Sequence, residues 1–135
     1  MSSANIETIQ RVYEAFGKGD VAAILDMVTD DVDWASESTS SMAPWHGVRR
    51  GKTEVAGFFE KLAETAEVLD FKPLAFAAND DGDVMVTLQF EMKIPATGRS
   101  GAMQLHHWFR LRDGKIWYYR GTEDTALTAA LLGTS

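Results

Sequence analysis

The sequence predicts an α+β domain in which helices from the first half of the chain pack on one face of an antiparallel sheet. Three observations support this prediction. Asp113-Gly114 joins two runs of aromatic, branched and basic residues, and an Asp-Gly between such runs is a strong hairpin signal. Residues 84–94 alternate apolar and polar side chains, whereas residues 6–16 repeat apolar ones at helical spacing. Helices followed by a run of strands are typical of the α+β class.

Two short helices are predicted at the beginning of the chain. The apolar spacing places the first over residues 4–17, and Gly17-Lys18-Gly19 ends it. Asp20 is a natural N-cap for a second helix over residues 21–28. Together they predict a helical hairpin.

The next segment is predicted to contain a strand, a loop and a helix. Residues 32–34 alternate as a short strand, and residues 36–47 have no period and predict a long loop. Loops of that length in compact domains are often lids or binding loops. An apolar stripe then predicts a third helix over residues 52–66.

The rest of the chain supplies the sheet. Residues 71–78 predict a strand, which Pro73 places at an edge of the sheet or at its own first residues. The strand over 84–94 and the central hairpin follow, and Asp124 or Thr125 could cap a final helix over 126–132. A sheet of this kind has to curl around the helices, so the space between them is a natural pocket.

Composition excludes several classes of function. The 135 residues suit one domain, spanning residues 1–135, with a single core. A formal net charge of −7, from 13 Lys+Arg against 20 Asp+Glu, argues against nucleic acid as a partner. No apolar run approaches the length of a membrane span, and the N-terminal segment does not resemble a signal peptide. We therefore expect a cytoplasmic protein, and the absence of cysteine agrees with a reducing compartment.

The sequence is compatible with two registers for the central hairpin. A two-residue type I′ turn at Asp113-Gly114 would place His107 opposite Arg120. A three-residue loop with Gly114 as a G1 bulge would instead place His107 opposite Tyr119. One residue of slip exchanges the two faces of a strand, so the choice decides which side chains face the pocket.

Four segments of the chain resemble the SnoaL-like branch of the nuclear-transport-factor-2-like, or ketosteroid-isomerase-like, superfamily. They are QRVYEAFGKGD, VTDDVDW, PWHGVRRGKTEVAGFFEKL and HWFRLRDGKIWYYRGTEDTA, which together span nearly the whole chain. The resemblance implies a cone-shaped, cystatin-like α+β barrel, with a mostly antiparallel curved sheet wrapped around the N-terminal helices. It also implies a ligand cavity and a dimer. Isomerases, polyketide cyclases and epoxide hydrolases belong to this branch.

The resemblance favours the G1-bulge register, because the family presents the residue at His107 on the same face as positions 117, 119, 121 and 123. It does not favour two of the family activities. The isomerase tyrosine, general base and protonated aspartate fall at Val12, Ser36 and His107. The Arg-x-Asp pair and second aspartate of the epoxide hydrolases fall at Leu105, His107 and Gly121.

Three residues are candidates for chemistry. An imidazole at His107 among aromatic side chains could act as an acid or base near neutral pH, or else be a core histidine satisfied by one hydrogen bond. Tyr119 would orient His107 or polarise a substrate oxygen, and is otherwise one more aromatic on the cavity wall. Glu123 would share that wall, ~13 Å along the strand from His107. Its alternative is a solvated carboxylate at a strand end.

The predicted ligand-binding residues are mostly large and apolar. They are Trp34, Ser36, Trp45, Phe90, Met92, Phe109 and Trp117. No metal site is predicted, because His106 and His107 point to opposite faces of a strand and no carboxylate has ligand spacing to them. No phosphate-binding loop is present to hold a nucleotide, so no cofactor is expected.

These observations favour a cone that binds a small hydrophobic molecule and carries out cofactor-free isomerisation, cyclisation or hydration of a carbonyl compound. The alternatives are a binding module without turnover and a dimeric scaffold whose cavity is filled by its own side chains. A homodimer is expected through the convex face of the sheet, which the helices leave uncovered. In the favoured register that face carries Gln104, His106, Trp108, Arg110, Tyr118 and Arg120.

Overall fold

The structure is a computed structural model that describes residues 2–39 and 42–133. A curved, mixed sheet of six strands forms the body of the protein. The strand order is β2-β1-β6-β5-β4-β3. The elements are α1 (Ser2–Gly17), α2 (Val21–Leu25), β1 (Val28–Ser36), β2 (Gly47–Arg50), α3 (Gly51–Thr65), β3 (Glu67–Ala78), β4 (Asp83–Ile94), β5 (Arg99–Arg112), β6 (Lys115–Thr122) and α4 (Thr125–Leu132). The predicted α+β fold is confirmed.

Most predicted elements are present, and the clearest differences concern α2, the loop before β2, and β3. The second helix stops at Leu25, and Val28 already pairs with Ile116 at the start of β1. The predicted loop over 36–47 is followed by β2, a short strand that the sequence pattern does not show. Residues 40 and 41 of that loop lie outside the described residues. β3 begins at Glu67, four residues before its prediction.

Strand pairing makes the sheet mostly antiparallel, as predicted, with one parallel contact. β1 runs parallel to β6, and the remaining pairs of neighbouring strands are antiparallel. β3 lies at one edge of the sheet, which is where Pro73 predicted it. A proline is tolerated there because an edge strand leaves some backbone N–H positions unpaired.

The core lies between the concave face of the sheet and the helices. Alternate residues of β4 are buried there, since its period of two turns one set of side chains inward. Val12 of α1 and Val55 of α3 are buried against this face, and Leu127 of α4 contacts it near Gly101. Within the described ranges, no helix has the length and apolar character that crossing a bilayer requires.

The central hairpin turns through two residues. Arg112 pairs with Lys115, and Asp113 and Gly114 have positive φ angles of 53° and 77°. Two consecutive residues with positive φ are typical of a type I′ turn. The turn therefore follows the first of the two predicted registers.

A bulge in β6 then shifts the register by one residue. Leu111 pairs with Ile116, whereas Arg110 pairs with Tyr118, so Trp117 is the extra residue. Beyond the bulge His107 lies opposite Gly121. The favoured G1-bulge register, with His107 opposite Tyr119, was wrong, because the bulge lies inside β6 and not at the turn. The observed bulge nevertheless places Tyr119 and Gly121 on the face that carries His107, as predicted.

The turn supplies the first testable prediction. We expect Gly114→Ala to lower the free energy of unfolding by about 1–2 kcal/mol, because a Cβ strains a backbone held at positive φ. Gly17→Ala is the matched control, since Gly17 has no positive φ and open space around its Cβ position. Urea denaturation of both variants would measure the difference. Equal stability of the two would contradict the type I′ turn.

Candidate functional site

An apolar pocket of about 90 Å³ lies between the helices and the concave face of the sheet. Helix α1 contributes Val12 and Tyr13 to its wall, and helix α3 contributes Phe58 and Phe59. The residues predicted at this site that line it are Trp34, Ser36, Trp45, Phe90, Met92, His107, Phe109, Tyr119 and Glu123. The structure therefore brings nine of the ten predicted positions to one place, and their functional roles stay predictions.

Trp117 does not line this pocket, and the prediction that it faces the cavity was wrong. The bulge turns its side chain toward the convex face. There the guanidinium carbons of Arg110 and Arg112 lie 5.1 and 5.0 Å from the centre of a Trp117 ring. These distances are within the range of cation–π contacts, which hold the indole away from the core.

His107 is buried on the pocket wall and forms a hydrogen bond to Tyr13. Its Nδ1 lies 2.7 Å from the Tyr13 hydroxyl oxygen. Burial, with a smaller contribution from the charge of His106, lowers the pKa of His107 to about 3. The imidazole is therefore neutral at physiological pH. It does not act as an imidazolium acid there, which narrows the acid-or-base role predicted from the sequence.

The Tyr13 contact favours one tautomer of His107. A buried phenol hydrogen needs an acceptor, and Nδ1 is the acceptor within reach. Nδ1 then carries no hydrogen, so the hydrogen of the neutral ring lies on Nε2. The adjacent Cδ2 lies 3.4 Å from the point that a Cβ on Gly121 would occupy, so this edge of the ring faces β6. His107 thus presents a donor there.

Tyr119 is fixed between two rings. Its ring stacks on Trp34 at 4.0 Å between centres, and meets His107 edge-on at 5.2 Å. Burial and the nearby charge of Glu123 raise the pKa of Tyr119, so its hydroxyl keeps its hydrogen and is a donor. Gly121 makes room for this hydroxyl, because a Cβ at Gly121 would lie 2.2 Å from it.

Glu123 is buried within a set of donors, and is not the solvated carboxylate of the alternative interpretation. Its Oε1 accepts from Trp45 Nε1 at 2.9 Å and His46 Nε2 at 3.0 Å, with Ser36 Oγ farther away at 3.4 Å. Its Oε2 accepts from the hydroxyl of Thr128. Burial raises the pKa of Glu123, but these hydrogen bonds outweigh it and leave the pKa below its usual value.

The bulge also brings Glu123 closer to His107 than predicted. His107 pairs with Gly121, so Glu123 lies two residues beyond its partner and not four. At the rise of a strand this is ~7 Å along the chain direction, compared with the predicted ~13 Å. A small molecule could therefore contact both residues.

Sequence reasoning missed the polar partners of His107 and Glu123, among them Tyr13 and His46. Tyr13 has helical spacing to Ile9 and Phe16, which indicated only that it belongs to the buried stripe of α1. His46 belongs to the stretch over residues 36–47, whose lack of period indicated only a lid or binding loop. Their partners are 94 and 77 residues away, and no local pattern indicates such contacts. Within 2–39 and 42–133, no three acidic or histidine side chains are grouped to hold a metal ion.

A family model for the SnoaL-like domain matches residues 9–119. The chain belongs to the SnoaL-like domain family. An NTF2-like protein of unknown function from Burkholderia pseudomallei K96243 is 25% identical, with 98% of each chain covered and a TM-score of 0.88. TerC, co-crystallised with polyporic acid, is 23% identical, with 96% of this chain and 98% of TerC covered and a TM-score of 0.86.

A third similar structure is a Xanthomonas campestris pv. campestris protein to which polyketide cyclase activity is ascribed. It is 20% identical, with 97% of this chain and 98% of that chain covered and a TM-score of 0.80. A search of the curated proteins found no match. The SnoaL-like family therefore supplies the fold, and the chemistry has to be inferred from this chain's own residues.

Three of the positions at which the sequence departs from the SnoaL-like isomerases and hydrolases line the pocket, namely Val12, Ser36 and Gly121. Val12 and Ser36 supply no phenol and no carboxylate at the two isomerase positions. Tyr13 nevertheless lines the pocket and reaches His107 from the same helix. At Gly121, the hydrolase aspartate position, a side chain would collide with the Tyr119 hydroxyl.

The neutral state of His107 predicts a pH dependence of stability. Its folded pKa of about 3 lies below the unfolded value of 6.5, so the unfolded chain binds more protons between these values. Stability due to this residue is therefore lost as the pH falls below about 6.5. From pH 7 to pH 5 we expect a loss of about 2 kcal/mol that His107→Gln does not show. Urea unfolding at both pH values would measure it, and identical losses in both proteins would refute it.

Proposed function

We propose that this protein binds a small hydrophobic carbonyl compound and moves a proton on it without a cofactor, as an isomerase, cyclase or hydratase does. The observation that carries the proposal is the pairing of two groups in one apolar pocket. His107 is a neutral donor held by Tyr13, and Glu123 is a buried carboxylate whose pKa is lowered. Acid–base chemistry on a carbonyl compound requires a hydrogen-bond donor and an ionised base that coexist at one pH.

The proposed roles follow from whether each group can donate a hydrogen or accept one. Nε2–H of His107 and the hydroxyl of Tyr119 would donate to the carbonyl oxygen as negative charge develops there. Glu123 would remove a proton from the carbon next to that carbonyl, because an ionised carboxylate can accept one. Trp34, Phe90, Met92 and Phe109 would exclude water and contact the apolar body of the ligand.

The size of the pocket limits the ligand. About 90 Å³ is smaller than the roughly 300 Å³ at the lower end of small-molecule sites. In this state the pocket would hold only the carbonyl end of a ligand, and a larger compound would require side chains at its mouth to move. The co-crystal of TerC with polyporic acid supports a small-molecule ligand in this fold.

Two other functions are compatible with particular observations. The pocket is small and its aromatic rings contact one another, which supports a scaffold whose cavity is filled by its own side chains. Glu123 already accepts four hydrogen bonds, which supports a binding module without turnover. We rank both below the acid–base enzyme, because a neutral histidine and a carboxylate face the same apolar space. For each of these functions we expect a cytoplasmic location.

Native mass spectrometry against a panel of aromatic and polycyclic carbonyl compounds, including polyporic acid, tests binding. We expect one ligand per chain, and binding weakened about tenfold or more in His107→Ala through loss of one buried hydrogen bond. His106→Ala is the matched control, because the neighbouring His106 is on the opposite face of β5. Failure of every compound to bind would favour the filled scaffold.

Proton transfer is tested separately on any compound that binds. In deuterated water we expect deuterium to enter beside its carbonyl, and Glu123→Gln and His107→Ala to slow this exchange by about 100-fold or more. Circular dichroism would verify that the variants are folded. Binding without exchange in the wild-type protein would establish the binding module instead.

We also propose that the protein is a homodimer formed through the convex face of the sheet. A groove of about 410 Å³ crosses this face, and Met85, Trp108 and Arg120 are among its lining residues. Met85 is 51% exposed. Nearby arginines are already paired, Arg110 with Asp83 and Arg120 with Asp33, each at 3.0 Å. A second copy can therefore approach without facing unpaired charge.

Met85→Arg tests this interface. We expect a dimer of the wild-type protein to become a monomer, because a guanidinium would replace apolar surface within an interface on the order of 1,600 Å² in total. Val48→Arg, on the exposed edge strand β2, is the control and should leave the dimer intact. Sedimentation at micromolar concentration distinguishes the two states. A monomeric wild-type protein would contradict the proposal.

A further inference from the structure

The loop before β2 delivers two donors to Glu123. Trp45 and His46 are adjacent there, and their ring N–H groups both lie within 3.0 Å of the same carboxylate oxygen, Oε1. The side chains of His46 and Glu123 are 1% and 7% exposed. A contact this well buried is only weakly screened by solvent. The loop therefore holds one oxygen of the carboxylate, Oε1, by two hydrogen bonds.

The two oxygens of Glu123 have different surroundings. Oε1 accepts from Trp45 and His46, and more weakly from Ser36. Among the described contacts Oε2 accepts from Thr128 alone. A carboxylate oxygen has two lone-pair sites, so Oε2 has one left to receive a proton.

Thr128 is placed so that Oε2 can gain and lose that proton. Its hydroxyl, fully buried, contacts both Glu123 Oε2 and the backbone carbonyl oxygen of Asp124, the latter at 3.1 Å. It can donate to Oε2 while Glu123 is ionised. When Oε2 carries a proton, the same hydroxyl can accept from it and donate to the Asp124 carbonyl. Both protonation states of Oε2 are therefore satisfied, although the group is buried.

His46 has the complementary task of holding Oε1 in both states. An ionised carboxylate only accepts, so the hydrogen between them belongs to His46 Nε2. His46 Nδ1 is buried and has no hydrogen-bond partner within the described ranges. A hydrogen on Nδ1 would be an orphaned buried donor, which favours the neutral Nε2–H tautomer.

We propose that His46 and Thr128 are positioning residues that hold the two oxygens of Glu123 in different ways: His46 holds Oε1 against the loop, and Thr128 satisfies Oε2 whether or not it carries a proton. This inference rests on the proposed role of Glu123 as the base. In that role the proton leaves the carbon beside the carbonyl as its bonding pair remains on the substrate, and it forms an O–H bond on the Glu123 carboxylate.

The groups around Glu123 that could change its titration are few. His46 and Trp45 face it from the loop, Tyr119 from β6, Ser36 from β1 and Thr128 from α4. Of these, His46 and Thr128 donate directly to a different oxygen each. Their separate removal should therefore change the pKa of the carboxyl, while their conservative replacements should not.

A titration of Glu123 by NMR of side-chain carboxyl ¹³C tests the proposal without any ligand. We expect His46→Leu and Thr128→Val each to raise the pKa of Glu123 by about one unit or more, and His46→Gln and Thr128→Ser to restore it by restoring a donor. His106→Leu, on the convex face, should leave it unchanged. An unchanged pKa in His46→Leu, or no rescue by Gln, overturns the inference.

Nitrogen-15 spectra of the wild-type protein provide a test that does not depend on any variant folding. We expect His46 to carry its hydrogen on Nε2, and the Nδ1–H tautomer would overturn the inference. Both measurements are independent of turnover. If they succeed while no compound binds or exchanges deuterium, the positioning role holds and the proposed function fails.

Discussion

One extra residue in β6 determines which side chains meet in the pocket. The bulge at Trp117 shifts the hairpin ladder by one residue, so that His107 lies opposite Gly121. Because Gly121 has no side chain, the ring of Tyr119 can lie over it and reach toward His107. The same shift brings Glu123 two residues from the partner of His107. Without the bulge, period-two alternation would turn Tyr119 away from the face that carries His107.

Burial disfavours the charged form of both His107 and Glu123, but the two groups reach different protonation states. His107 has one hydrogen bond from a neutral phenol, so desolvation dominates and the imidazole stays neutral. Glu123 is also desolvated, but ring N–H and hydroxyl donors surround it and stabilise the ionised form. The same apolar space therefore contains a neutral donor and a carboxylate at one pH.

The hydrogen bonds of Glu123 also connect distant parts of the fold. Ser36 belongs to β1, Trp45 and His46 to the following loop, and Thr128 to α4. A single buried carboxylate that lines the pocket thus forms hydrogen bonds with both the loop and the last helix. The convex face is stabilised differently, since arginines lie over Trp117 and Tyr118 while two of them pair with aspartates. That face lies outside the pocket between the sheet and the helices.

The sequence by itself determined the order and type of most elements, the faces of β4 and β5, and the SnoaL-like family. These features are local, because the period of apolar side chains reports which face of a strand or helix is buried. Only the tertiary structure decided the register of β6, the outward direction of Trp117, and the contacts of His107 with Tyr13 and of Glu123 with His46. A bulge leaves the pattern of apolar side chains in the neighbouring sequence unchanged, so that pattern does not reveal it. The two contacts join residues 94 and 77 positions apart. Their geometry follows from packing of the whole chain, which no short stretch of sequence encodes.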